Sequence, residues 1–180
     1  MSPAGPCVDG RGLPSPERAV PSKNGRFLYV NSYGTPSASP VAVLTRNRTT
    51  GVLSQRSGKA ACISADGTSG EPTEPCRDGR ALDGGYAGVL APDGRTLYFS
   101  EYSSNALVIF RVSPTTGAFH QLTGKFGCVT ADGSSEDGSH TCQKGRAIEG
   151  AYQVALGSKG RDVYVVGGNA KGVALFHAHK

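Results

Sequence analysis

The chain has 180 residues, 37% of them hydrophobic, with 26 glycines, 11 prolines, no tryptophan and a net charge of +5. That length allows one domain with its own core, and the chain has no apolar run of about 18 residues that could span a membrane. Lysines and arginines are scattered singly, not gathered into the basic block that a nucleic-acid surface needs, so they read as solvated loop charges. The first six residues have neither the charged nor the apolar part of an export leader, which predicts either a protein that is not secreted or a mature form whose leader is gone.

One motif is written three times. Cys7-Val8-Asp9-Gly10-Arg11-Gly12-Leu13 returns as Cys76-Arg77-Asp78-Gly79-Arg80-Ala81-Leu82 and as Cys142-Gln143-Lys144-Gly145-Arg146-Ala147-Ile148, at offsets of 69 and 66 residues. Eighteen residues after each cysteine comes Gly-Arg, at Gly25, Gly94 and Gly160, and then a short run with a central tyrosine. Repeats of that period decide the architecture before any single residue does.

In chain order, the first copy predicts strands near 18–20, 26–30, 41–44 and 52–55, with turns at Lys23-Asn24-Gly25 and Thr49-Thr50-Gly51. The longer stretch from Tyr33 to Pro40 accounts for the change of offset. The second copy predicts an inner strand over 85–90, a Pro92-Asp93-Gly94 turn, and an alternating strand with Leu97 and Phe99 on one face and Thr96 and Tyr98 on the other. Two further strands, 106–110 and 118–122, follow turns at Ser103-Ser104-Asn105 and Pro114-Thr115-Thr116-Gly117. The third copy predicts strands over 151–156, 161–166 and 172–176, with no fourth. Four-stranded meanders joined by long connectors predict an all-β fold of β-propeller blades, about three in this chain. Residues 1–16 form an N-terminal segment and partial connector, 17–75 and 76–141 a blade with its cysteine loop each, and 142–180 a connector with an incomplete third blade, all in one propeller-type domain.

Cys62 and Cys76 are 14 residues apart, as are Cys128 and Cys142. Each pair brackets a polar loop with no core to bury a free thiol, which predicts two disulfides and an oxidising compartment, extracellular or periplasmic. Zinc is disfavoured, because there is no C-x2-C element and no histidine repeats with the cysteines. Cys7 has no upstream partner and is expected free or bridged between chains.

The runs Ala91-Pro92-Asp93-Gly94-Arg95-Thr96-Leu97-Tyr98-Phe99-Ser100, Asn105-Ala106-Leu107-Val108-Ile109-Phe110 and Thr115-Thr116-Gly117-Ala118-Phe119 resemble the YVTN-type repeats of bacterial lactonase-like β-propellers. The resemblance covers most of 17–180. It implies the propeller fold and admits a lactonase-like hydrolase acting at the propeller mouth, while supplying no catalytic motif to carry over. The cysteine-bracketed loop departs from the common pattern. Propellers close with about 4–8 blades, so three blades expose sheet edges and inner faces. The chain is therefore expected to belong to a longer array, or to self-associate, as in a dimer completing a six-bladed ring.

Sequence-local chemistry is sparse. There is no G-x-S-x-G elbow or H-E-x-x-H, the Gly-Lys pairs at 58–59 and 124–125 lack phosphate-loop spacing, and no motif calls for a cofactor or a metal. His177 and His179 alternate on a terminal strand without a third ligand, and His120 and His140 stand apart. Asp66-Gly67 and Asp132-Gly133, with Glu136 and Asp137, read as turns rather than a calcium loop. Asn47-Arg48-Thr49 matches a glycosylation sequon by pattern alone. The candidate ligand-binding residues are the repeated polar ones: Arg11, Arg80 and Arg146, Tyr86 and Tyr152, and the acids Asp83 and Glu149. The arginines admit two readings, a ring facing an anionic ligand near the central channel or an architectural tie from each connector to a blade. A non-catalytic module binding a small molecule or a protein is the leading function expected. A lactonase-like hydrolase and a truncated or engineered propeller part without independent activity are the alternatives.

Overall fold

The computed structural model describes residues 10–34, 39–69, 75–136, 138–139 and 141–178. Cys7, Asp137, His140 and His179 lie outside them. Strands β1 (Pro16–Pro21), β2 (Phe27–Ser32) and β3 (Val41–Arg46) form an antiparallel meander. The outer edge of β3 is shared by two short strands, β4 (Leu53–Gln55) and β5 (Cys62–Ser64), and β6 (Arg77–Asp78) lies parallel to β5. The second sheet repeats this plan with β7 (Gly85–Leu90), β8 (Thr96–Glu101), β9 (Ala106–Val112), β10 (Phe119–Gln121), β11 (Cys128–Thr130) and β12 (Gln143–Lys144). The third consists of β13 (Ala151–Leu156), β14 (Asp162–Gly167) and β15 (Gly172–His177). The architecture is a partial β-propeller of three blades.

The four-stranded blade expected from sequence needs one correction. The outer strand is broken, because a 3-10 turn at Gly58–Ala61, and again at Gly124–Gly127, lifts the chain off the ladder before it returns as β5 or β11. The disulfides then draw a further strand to the sheet. Cys62–Cys76 and Cys128–Cys142 form as the spacing predicts, with Cα atoms 4.8 and 4.9 Å apart, and each holds a two-residue parallel pair that could scarcely persist alone.

Turn chemistry sets the hairpins. Asp93 Oδ1 accepts from the amides of Arg95 and Thr96 at 2.8 and 2.9 Å, closing the β7–β8 turn, and Gly94 takes the positive φ of 66° that this turn requires. Asn24 does the same for β1–β2, accepting from the Arg26 amide at 3.1 Å.

Alternation along β8 divides the core. Leu97 and Phe99 face blade one and join Tyr29, Val41, Phe110 and Phe119, whereas Tyr98 faces blade three and joins Val154, Val163 and Val165. Each such side chain contributes about 1.5–3 kcal/mol by leaving water. Blade three has no following sheet among the described residues, and Val173 and Leu175 on its free face are 63% and 50% exposed.

Candidate functional site at the blade mouth

The inner strands carry the same irregularity in all three blades. In β1 the ladder passes from Pro16↔Ser32 to Arg18↔Asn31, in β7 from Gly85↔Glu101 to Ala87↔Ser100, and in β13 from Ala151↔Gly167 to Gln153↔Val166. The bulged residues are Glu17, Tyr86 and Tyr152, which occupy one repeat position at the 69- and 66-residue offsets. A bulge sets two residues against one and re-aims a side chain that pleating would otherwise fix.

Around these bulges lies an aromatic cluster. The ring of Tyr86 is 4.7 Å from Tyr152, 5.5 Å from Tyr33 and 5.6 Å from Tyr102, centroid to centroid, within the range of favourable tilted and edge contacts. Tyr33 and Tyr102 are themselves repeat equivalents, each directly after the second strand of its blade. In the third copy that position is Gly168, and the adjacent Asn169 accepts from the Tyr102 hydroxyl at 2.9 Å. Burial, then the nearby Tyr33, Tyr152, Glu17 and Tyr102, raise the Tyr86 phenol above its ordinary range. It therefore stays a protonated donor at neutral pH. Tyr33 and Tyr152 remain 39% and 45% exposed, so the cluster is open to a ligand.

Beneath the tyrosines is a buried polar layer. The Asn31 Nδ2 donates to Glu101 Oε1 at 3.1 Å, and both residues are fully buried. Gly85 makes this contact possible, since a Cβ there would lie 2.3 Å from Asn31 Oδ1. Ser39 Oγ donates to Asp83 Oδ1 at 3.3 Å and accepts from the Gly84 amide at 3.0 Å. Burial raises the Asp83 carboxyl, the Ser39 hydrogen bond opposes this, and Glu136 adds to the rise. A 330 Å³ polar cavity lies beside this layer, lined by Asp83, Ser104, Asn105, Asp132 and Glu136. A larger one of 610 Å³ lies at the opposite end of the strands, between blades two and three, against Tyr98, Ile109, Phe126, Val163 and Phe176. It is mainly apolar, and none of the four clustered tyrosines lines it.

The residues singled out from sequence divide accordingly. Tyr86 and Tyr152 meet in the cluster. The arginines do not ring the channel. The amide of Arg11 donates to Gln55 Oε1 at 2.7 Å and its guanidinium to the Gly58 carbonyl at 3.0 Å. Arg80 likewise reaches Gln121 Oε1 at 2.9 Å and the carbonyls of Leu122 and Gly124 at 3.0 Å. They tie connectors to the outer strands, because the following Gly12 and Ala81 take positive φ (64° and 56°) and turn the chain inward only after the arginine. Arg146 is exposed. For Asp83 and Glu149, the repeated function belongs to the backbone: their carbonyls accept from Ser103 and Ser104, and from Asn169 and Ala170, all at 3.1 Å. The Glu149 side chain is exposed. Sequence reasoning missed Glu17, Tyr33 and Tyr102, although the repeat register aligns Glu17 with Tyr86 and Tyr33 with Tyr102. Among the described residues no cluster of three metal-ligating side chains forms.

No protein-family model and no curated protein matches the chain. Among solved structures it is similar to the periplasmic gluconolactonase PpgL of Pseudomonas aeruginosa, with 19% identity and a TM-score of 0.57. That match covers 92% of this chain and 39% of the Pseudomonas protein, so the chain spans well under half of that structure's length. A putative 6-phosphogluconolactonase from Bacteroides fragilis aligns at 13% identity and a TM-score of 0.42, over 90% of this chain and 53% of that one. At these identities the likeness is one of fold.

Proposed function

We propose that the blade mouth is one wall of the substrate site of a lactonase-like hydrolase. The observation that carries this reading is the bulge repeated in three inner strands, which brings Glu17, Tyr86 and Tyr152 to one end of the blades. The fold likeness to a gluconolactonase supports it. Tyrosine faces suit the C–H faces of a sugar-derived ring, and their hydroxyls suit its oxygens. In the reaction, the Glu17 carboxylate takes a proton from water, which adds to the lactone carbonyl. The Tyr86 and Tyr152 hydroxyls donate to the developing oxyanion. As the ring C–O bond breaks, the leaving alkoxide takes the proton back from Glu17, giving the open hydroxy acid. Three blades supply part of a ring, and we propose that further blades or a second copy complete the mouth. The two disulfides, together with the periplasmic neighbour, support an extracytoplasmic location.

A second reading, the non-catalytic binding module, is supported by the composition of the bulge ring, where Glu17 is the one carboxylate. One experiment separates the two: hydrolysis of sugar lactones by the purified chain and by Glu17→Gln and Tyr86→Phe. Loss of a positioned base is expected to lower kcat by about 10²–10⁴-fold, and loss of one oxyanion donor by about 10²–10³-fold. Saturable lactone binding without turnover would favour the binding module. Turnover unaffected by either substitution would remove the mouth from consideration.

A further inference from the structure

Glu101 and Asn31 face each other at the junction of blades one and two, fully buried, and their hydrogen-bonding capacity does not balance if Glu101 is ionised. Asn31 Nδ2 serves Glu101 Oε1, while Glu101 Oε2 and Asn31 Oδ1 are both buried without a hydrogen-bond partner. An ionised carboxylate and an amide oxygen are both acceptors. Exchanging the amide's oxygen and nitrogen would not help, because one oxygen on each residue would still lack a donor. A single proton on Oε2 supplies the donor that this pair of buried acceptors lacks. Among the described residues the charged groups acting on Glu101 are Asp83, from the connector before β7, and Glu136, from the second cysteine loop; both are acidic, and none of the described lysines, arginines or histidines pairs with it.

We propose that Glu101 is held as a neutral carboxylic acid whose Oε2–H is donated to Asn31 Oδ1, an acid–amide clamp that fastens blade one to blade two beneath the tyrosine cluster and releases when the proton passes to solvent. The clamp's position gives it influence over the mouth. Asn31 lies two residues before Tyr33 and Glu101 directly before Tyr102, and those rings flank Tyr86 from either side. Gly85, the ladder partner of Glu101, directly precedes the Tyr86 bulge. Burial is the main reason that the Glu101 carboxyl stands well above its ordinary range, with the Asn31 hydrogen bond opposing and Asp83 and Glu136 reinforcing the rise.

The sign of the pH dependence follows from linkage. Between the unfolded glutamate value of about 4.3 and the raised folded one, the native state holds a proton that the unfolded state has lost. Stability therefore falls as pH rises through that window and levels off above it. The test compares the purified chain with Glu101→Gln, whose amide presents the same donor and acceptor as the protonated acid. The urea midpoint of the parent is expected to fall as pH is raised from roughly 5 to 9, while that of Glu101→Gln falls less, keeping only the slope that the raised Asp83 carboxyl contributes. With no tryptophan in the chain, the near-ultraviolet circular dichroism of the tyrosines should change over the same interval in the parent alone. A Glu101→Gln variant with the parent's pH slope would overturn the clamp. Should that variant not fold, the infrared carboxylic-acid band of the parent decides: a band at pH 7 that survives Asp83→Asn supports the proposal, and its absence refutes it. No lactone enters these measurements, so their outcome is independent of whether the mouth hydrolyses one.

Discussion

Replacement of Phe119 by alanine tests the interface between blades one and two. Phe119 lies on β10, three residues long, yet it is completely buried. Its ring contacts Tyr29 at 5.8 Å and Phe110 at 5.7 Å, and the Arg77 guanidinium stands 5.4 Å above it. Burial of the side chain contributes about 1.5–3 kcal/mol. Two aromatic contacts add about 1–3 kcal/mol together, so the expected loss is about 3–5 kcal/mol, the usual range for such truncations. The consequences extend beyond the ring. Tyr29, whose hydroxyl is buried without a partner and whose phenol burial pushes up to about 12, loses the cover that keeps water out. Urea unfolding monitored by far-ultraviolet circular dichroism should show a lower midpoint with an unchanged slope. Phe126→Ala supplies the control: that ring lies seven residues along and is 59% exposed, and its loss should change stability by no more than about 0.5 kcal/mol. A Phe119→Ala loss below about 1 kcal/mol, or equal to that of Phe126→Ala, would refute the packing of the outer strand between the blades.

Two further expectations concern covalent chemistry and assembly. Replacing Cys128 and Cys142 together by serine should cost about 3 kcal/mol by loosening a loop of this size, a fall of roughly 6–12 °C in Tm for a chain of this length; peptide mapping that joins Cys62 to Cys128 would contradict the pairing. The free face of blade three, with Val166, Val173 and Leu175 exposed, should drive self-association, which light scattering would report as twice the chain mass. A monomer that persists up to high concentration would count against it.

The fold was legible because the information was repeated. A turn such as Pro92-Asp93-Gly94 is weak alone, but three copies at one spacing fix the phase of every strand around it. The return of the chain as β5 and β11 escaped notice because the expected outer strands stop at 55 and 122, and only the ladder reveals that Cys62–Ser64 and Cys128–Thr130 rejoin the sheet after the turns. The site was legible in part. Tyr86 and Tyr152 stand out as matching positions, whereas a bulge depends on hydrogen bonding and leaves no mark in sequence. Asn31 and Glu101 were hidden for a further reason: they are not repeat equivalents, and their contact joins neighbouring copies. Of the two readings the repeated arginines admit, Arg11 and Arg80 follow the architectural one, anchoring connectors beside Gln55 and Gln121.

The placement of Phe119 gives the array a direction. It belongs to the outer strand of the second blade, yet part of its contact is with Tyr29 of the first, so the second sheet latches the one before it. Cooperativity in such an array is vectorial: an earlier sheet is made fast by completion of the later one. Between the second and third sheets the described residues hold no counterpart of that ring, and the 610 Å³ apolar cavity beside Tyr98 marks its place. Structure should accordingly fray from the third sheet toward the first, with the tyrosine mouth, spread over all three, sensing how far the latching has advanced.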